Sequence, residues 1–178
     1  MNTLNSFEIG ILHSLHDALQ CAFLDTLMPI ITRLANSGIF WIMLALLLLF
    51  FKKTRRAGIT MGIALILGLV FGNLLLKPLI ARVRPYDFDP SIVLLIPKEK
   101  DFSFPSGHTT ASFAAAGVLM LTHTRFAWAG VILACLIAFS RIYMGFHFFT
   151  DIMGGMVAGT LAAFIAVEAE KRIKKADG

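Results

Sequence analysis

Six long apolar runs fill most of this chain, and charge gathers at their ends. They cover about 20–35, 38–51, 57–80, 107–122, 126–145 and 147–169, and the second contains the stretch IFWIMLALLLLFF. A membrane span takes about 20 mostly apolar residues. A chain of 178 residues therefore has room for six spans with short connections and none for a separate soluble domain. Composition agrees: 57% of residues are hydrophobic and 15% charged, where a soluble domain carries about 25% charged. Mean hydropathy is +0.78. The expected fold is all-α, an integral membrane six-helix bundle forming one domain over 1–178.

The first twenty residues differ from the rest. Phe7, Ile11, Leu15 and Leu19 recur four apart on an otherwise polar segment. One apolar stripe on a polar helix predicts a short interfacial helix at 1–20, followed by a six-span core at 20–171 and a basic tail at 172–178. No basic leader precedes the first run, and Glu8, His13, His16 and Asp17 lie within this segment. It does not read as a cleavable signal. His13 and His16 share a helix face, but two ligands without a third make a weak metal site, and no metal is expected. Cys21 and Cys135 lie in apolar stretches and read as buried free thiols. Glycines recur four apart at Gly58 and Gly62, Gly68 and Gly72, and Gly155 and Gly159. That spacing lets membrane helices approach closely.

The net charge of +5 does not indicate nucleic acid, because the cations sit at the ends of apolar runs. Clusters at 52–56 and 171–175, and Arg125, follow the second, sixth and fourth runs. Cations near span ends mark the cytoplasmic side. Six crossings then place both termini in the cytoplasm. The turn at 36–38, the loop at 81–105 and the join at 140–150 fall on the extracytoplasmic face.

That face collects the chemistry. An ionisable group in a membrane segment costs about 2.5–3.5 kcal/mol on insertion scales and points to function. Lys77 and Arg84-Pro85 close the third run; Pro105-Ser106-Gly107-His108 opens the fourth; Ser140-Arg141 closes the fifth, and His147 and Asp151 open the sixth. Lys77, Arg84 and Arg141 suit phosphate oxygens, arginine because its planar fork makes two parallel bonds. Ser106 and the free N–H groups near Gly107, in the first turn of a helix, add donors to an anion. His147 and Asp151 are one helical turn apart. A carboxylate there accepts the proton of one ring nitrogen and leaves the other nucleophilic. The predicted chemistry is in-line attack by His147 on phosphorus, with His108 protonating the leaving oxygen and then activating water. Three cations can supply the charge stabilisation without magnesium.

The stretches KPLIARVRP, PSGH and SRIYMGFHFFTD resemble the three signatures of the type 2 phosphatidic acid phosphatase superfamily, KxxxxxxRP, PSGH and SRxxxxxHxxxD, with spacing intact over roughly 70–155. The resemblance implies metal-independent dephosphorylation of a membrane lipid phosphate through a phosphohistidine, with no cofactor. It implies His147 as nucleophile, Asp151 as its partner, His108 as general acid, and Lys77, Arg84, Ser106, Gly107 and Arg141 as phosphate ligands. Undecaprenyl pyrophosphate is the expected substrate; phosphatidylglycerol phosphate and phosphatidic acid are alternatives. The superfamily also holds soluble vanadate-dependent haloperoxidases, against which the hydrophobicity argues. A phospholipid transporter or flippase is the rival class, but a carrier needs cations and not a nucleophile with an acid. Arg82 reads as a solvated loop charge, and Tyr86, Asp87 and Asp89 as residues that shape the loop.

Overall fold

A computed structural model describes residues 2–176. Its regular structure is helical throughout, with no strand among the described residues. Helix α1 (Asn2–Leu19) leads into α2 (Ala22–Leu34), a single 3-10 turn at Asn36–Gly38, and α3 (Ile39–Phe50). Helix α4 (Arg55–Gly68) continues through a π-helical stretch, Leu69–Leu76, into α5 (Lys77–Ile80). A short helix α6 (Pro85–Phe88) and an irregular loop precede α7 (Gly107–Leu121), α8 (Ala127–Tyr143) and α9 (Phe149–Ala176). By length and apolarity, Arg55–Phe88 and Phe149–Ala176 are able to cross a membrane, and α2 with α3 makes a third if the bent pair is one span.

That bent pair corrects the expected layout. The runs at 20–35 and 38–51 were expected to cross separately, in opposite directions. Instead α2 and α3 meet at only 43°, so the chain bends and continues. The joint holds one 3-10 turn with Ser37 and Gly38 at φ 52° and 68°, enough for a kink. Side-chain partners trace the descent. Asp25 accepts from Tyr143 and Thr32 from Arg141, both near the end of α8. Asn36 meets His108, and Trp41 donates to Ser112 one turn further along α7. Among the described residues the helical paths through the bundle are therefore five: α2 with α3, α4 with α5, α7, α8 and α9.

The termini are corrected with it. Asn5 and Glu8 of α1 bond Arg82 and Thr150 at the start of α9. Helix α9 has 28 residues, about 42 Å at about 1.5 Å per residue. Near its far end Glu170 pairs with Arg56 at 3.7 Å. The described ends of the chain thus lie at opposite ends of the bundle, not together. The clusters at 52–56 and 171–175 do share one end, away from Lys77, Arg84 and Arg141. Helix α1 turns its polar residues Asn5 and Glu8 inward and leaves Phe7, Ile11 and Leu19 exposed. Cys21 and Cys135 are exposed rather than buried.

Helix α7 is central, packed on α3, α4, α8 and α9. Its contact with α9 has no room for side chains at two glycines. A Cβ on Gly159 would stand 2.4 Å from the Thr110 carbonyl oxygen, and one on Gly155 2.9 Å from that of Ser106. This close approach brings the start of α7 against the start of α9. Trp41, Met61, Ala114, Val118, Ile137 and Ala163 fill the core, while Phe23, Phe50, Leu79, Trp128 and Phe164 are exposed. An outward apolar surface on a helical bundle is what a lipid environment selects.

Candidate active site

Three chain ends converge. Ala81, at φ 47°, stops the α4–α5 path, and the chain turns so that Arg82 and Arg84 point back into the bundle, both buried. Ser106 caps α7, its Oγ accepting from the Thr109 N–H and hydroxyl. The first turn of α7 begins at Gly107, and a Cβ there would meet Asn73 at 3.0 Å. The end of α8 and its link to α9, Arg141–Phe148, are buried throughout.

Lys77, Arg84 and Arg141 converge on the Glu99–Asp101 segment, with His147 against Arg84 and His108 lining one cavity with Lys77. Each cation is paired with a carboxylate that sequence reasoning passed over. Lys77 bonds Asp101. Arg84 Nη2 reaches Asp101 at 2.5 Å and Glu99 at 2.7 Å. Arg141 Nη2 donates to Glu99 at 2.6 Å, and its Nη1 to Thr32 at 3.0 Å. Arg141 Nε is buried and meets no acceptor among the described residues. Burial works against ionised Asp101, but the hydrogen bond and charge of Lys77, aided by Arg84, outweigh it and hold the carboxyl at about 2. Glu99 is likewise lowered, with Arg141 and Arg84 overcoming its burial.

His147 has a defined polarity. Its Nε2 lies 3.3 Å from Arg84 Nη1. A guanidinium only donates, so Nε2 presents a lone pair and the proton of the neutral ring sits on Nδ1. Nδ1 faces Ser103 Oγ at 3.4 Å and Asp151 at 3.5 Å. These are long contacts. Asp151 is fixed on every side: Oδ1 accepts from Arg82 at 2.6 Å, and Oδ2 from the Phe148 N–H at 2.8 Å and from Ser103. His108 Nε2 lies 3.0 Å from Asn36 Oδ1, an acceptor that keeps a proton on that nitrogen.

Lys77, Arg84 and Arg141 share the Glu99–Asp101 segment, His147 lies against Arg84 and Asp151, the Ser106 N–H donates to the Asp151 carbonyl, and Gly107 and His108 line a cavity with Lys77. Four others belong with them. Glu99, Asp101 and Ser103 lie in the loop before PSGH, where no periodicity marks them. Arg82 is the larger correction: it is buried rather than solvated, and it bonds Asp151. His13, the weak metal candidate, instead pairs with Asp89 at 2.9 Å. Beside the site a cavity of about 1050 Å³ runs between α3 and α4, from Lys77, Asn73 and His108 to Ala45, Leu49 and Gly58. Its walls are polar at one end and apolar along the rest.

Fold and site together define a helical membrane protein with a cationic pocket beside two imidazoles at one end of the bundle. Residues 57–175 match the sequence model of the PAP2 superfamily. The chain is 36% identical over 152 residues to an undecaprenyl-diphosphatase of Sulfolobus acidocaldarius, covering 85% of this chain and 73% of that one. It is 33% identical over 142 residues to the undecaprenyl-diphosphatase BcrC of Bacillus subtilis, covering 80% and 72%. Its fold superposes with a TM-score of 0.77 and 27% identity on the transmembrane PAP2 type phosphatidylglycerolphosphate phosphatase of Bacillus subtilis, over 97% of this chain and 89% of that one. The protein belongs to the PAP2 superfamily.

Proposed function

We propose that this protein is a membrane lipid phosphatase that hydrolyses undecaprenyl pyrophosphate to undecaprenyl phosphate through a phosphohistidine on His147. The observation that carries the reading is the polarity of His147: an unprotonated Nε2 among cations, backed by a protonated Nδ1 facing Asp151. In the first step Nε2 attacks the terminal phosphorus, the bridging P–O bond breaks, and His108 gives its proton to the leaving oxygen. In the second, water attacks the phosphohistidine, His108 takes its proton, and inorganic phosphate leaves. Lys77, Arg84 and Arg141 hold the phosphate oxygens, with Ser106 and the Gly107 backbone as further donors. A buried donor without a partner costs about 1–3 kcal/mol, and a phosphate oxygen at Arg141 Nε relieves that cost.

The long apolar cavity supports a lipid substrate whose chain lies between α3 and α4 while its phosphate meets His108 and Lys77. The two diphosphatase relatives favour a prenyl pyrophosphate. A phosphatidylglycerol phosphate substrate is the second reading, favoured by the structural neighbour of that activity. The whole chain acts as one domain that crosses the membrane five times, with α1 at the interface. The site and α1 lie on the extracytoplasmic face, and the cationic end, with the C-terminal part of α9, on the cytoplasmic one. A phosphate-release assay in detergent tests the reading. Undecaprenyl pyrophosphate is turned over with the highest kcat/KM among prenyl pyrophosphates, phosphatidylglycerol phosphate, phosphatidic acid and a soluble diphosphate, and a chelator leaves the rate unchanged. Preference for another lipid overturns the substrate; strict dependence on added divalent metal overturns the mechanism.

Phosphate must also displace Glu99 and Asp101, which occupy the donors it needs. Asp101→Asn combined with Glu99→Gln therefore binds inorganic phosphate about tenfold more tightly, the scale of a single charged hydrogen bond. The sign with pH follows from lowered carboxyls. Asp101, held at about 2 against an ordinary value of 3.8, keeps its contacts above pH 3.8 and loses them as pH falls through about 2. The ratio of phosphate inhibition constants between wild type and variant is therefore flat from about pH 5 to about pH 8. A ratio that varies across that range, or that stays at one, contradicts the competition.

A further inference from the structure

We propose that Arg82 is a positioning residue for the His147–Asp151 pair, held in place by Asn5 and Glu8 of the N-terminal helix α1. This rests on the reading of His147 as nucleophile. Arg82 is a fourth cation at the site, yet it does not serve the phosphate, because its donors are committed elsewhere. Nε and Nη2 donate to Asn5 Oδ1 at 3.0 and 2.7 Å, and Nη2 also to Glu8 at 2.5 Å. Nη1 donates to Thr150 Oγ1 and to Asp151 Oδ1, both at 2.6 Å. The guanidinium lies over the Phe148 ring, 4.0 Å from its centroid. No contact joins Arg82 to Glu99 or Asp101, the carboxylates that mark the phosphate cations.

Arg82 grips the pair from two directions. Its side chain fixes one oxygen of Asp151, leaving the other for Ser103 and the Nδ1 side of His147. Its main-chain carbonyl accepts the Ser103 N–H at 2.8 Å, and Ser103 stands between Asp151 and the ring. A rotation of the carboxylate therefore requires Arg82 to move, and Arg82 cannot move without breaking from α1. Glu8 closes the frame by accepting from the Thr150 N–H at 2.7 Å and its hydroxyl at 2.9 Å. The planar fork matters here: a lysine ammonium reaches Asp151 or Glu8 as a point charge but cannot hold Asn5, Glu8, Thr150 and Asp151 at once. Helix α1 is thereby part of the site's frame, with its polar face inward and its apolar face out.

The test uses the full-length protein in detergent with farnesyl pyrophosphate, comparing wild type, Arg82→Gln, Arg82→Lys and Glu8→Gln, each confirmed as folded by its melting temperature and elution volume. Arg82→Gln lowers kcat about 100-fold and leaves KM within about threefold. Arg82→Lys recovers part of that loss, and Glu8→Gln, which keeps the Arg82–Asp151 bond, loses about tenfold. Rapid-quench trapping of the phosphoenzyme separates the two layers of inference. Absence of phosphohistidine in wild type sinks the nucleophile assignment itself. Phosphohistidine that forms at the wild-type rate in Arg82→Gln sinks the positioning role alone. A raised KM with unchanged kcat also overturns it, since Arg82 would then be a phosphate ligand. If Arg82→Gln does not fold, Glu8→Gln and Arg82→Lys decide: wild-type kcat in both refutes the proposal.

Discussion

His147→Ala protein, folded and purified, releases phosphate from a prenyl pyrophosphate about 10⁴-fold or more slowly than wild type. The size follows from the two-step route. Without the imidazole no covalent intermediate forms, and water must attack directly in a pocket arranged for Nε2. The cationic pocket itself survives, because Lys77, Arg84 and Arg141 take their partners from Glu99, Asp101 and Thr32. Binding of inorganic phosphate should therefore persist, and the fold with it. Arg84 loses one contact, that with Nε2, but keeps the Phe146 carbonyl at 3.0 Å. Phosphate release by the alanine variant near the wild-type rate removes His147 from the chemistry. Loss of both turnover and phosphate binding marks it as structural.

The second large effect falls on His108. Replacement by alanine removes the proton donor for the leaving oxygen and the base for water, and lowers turnover of the lipid by about 10²–10⁴-fold. The two steps respond differently to the leaving group. With p-nitrophenyl phosphate the departing phenolate needs no proton, so the first step recovers in His108→Ala while the second does not. One equivalent of nitrophenol then appears in a burst, and phosphohistidine accumulates. The geometry suits this role. His108 lies half-buried at the polar end of the apolar cavity, and Asn36 keeps a proton on its Nε2. A variant without a burst, equally slow on both substrates, assigns His108 to phosphate binding instead.

The motif residues were legible because their chemistry is local. Arg84-Pro85, the serine cap of α7 and the four-residue spacing of His147 and Asp151 each carry their meaning within a few positions. Glycines at 155 and 159 likewise announced a close helix contact, and that contact seats α7 on α9. The bend between α2 and α3 was not legible. An apolar run with a short polar break looks the same whether the chain kinks or reverses, and the difference here lies in Ser37 and Gly38 at positive φ and in partners on α7 and α8. One expected reversal that the chain does not make moves α1 to the opposite end of the bundle.

Arg82 and the pair Glu99 and Asp101 show where sequence reasoning stops. Spacing along one helix assigns which side chains share a face, but a charge in an irregular loop has no period to place it. Its role depends on what other segments bring within bonding distance. The sequence by itself determined a helical membrane protein of the PAP2 superfamily and the three motifs that carry its charges and imidazoles, because hydropathy and motif spacing are properties of single segments. Only the tertiary structure decided the path count, the end of the bundle on which α1 lies, and the partners of the buried cations Lys77, Arg82, Arg84 and Arg141, because burying a charge demands a partner, and that partner sits up to 109 residues away in sequence, as Thr32 does from Arg141.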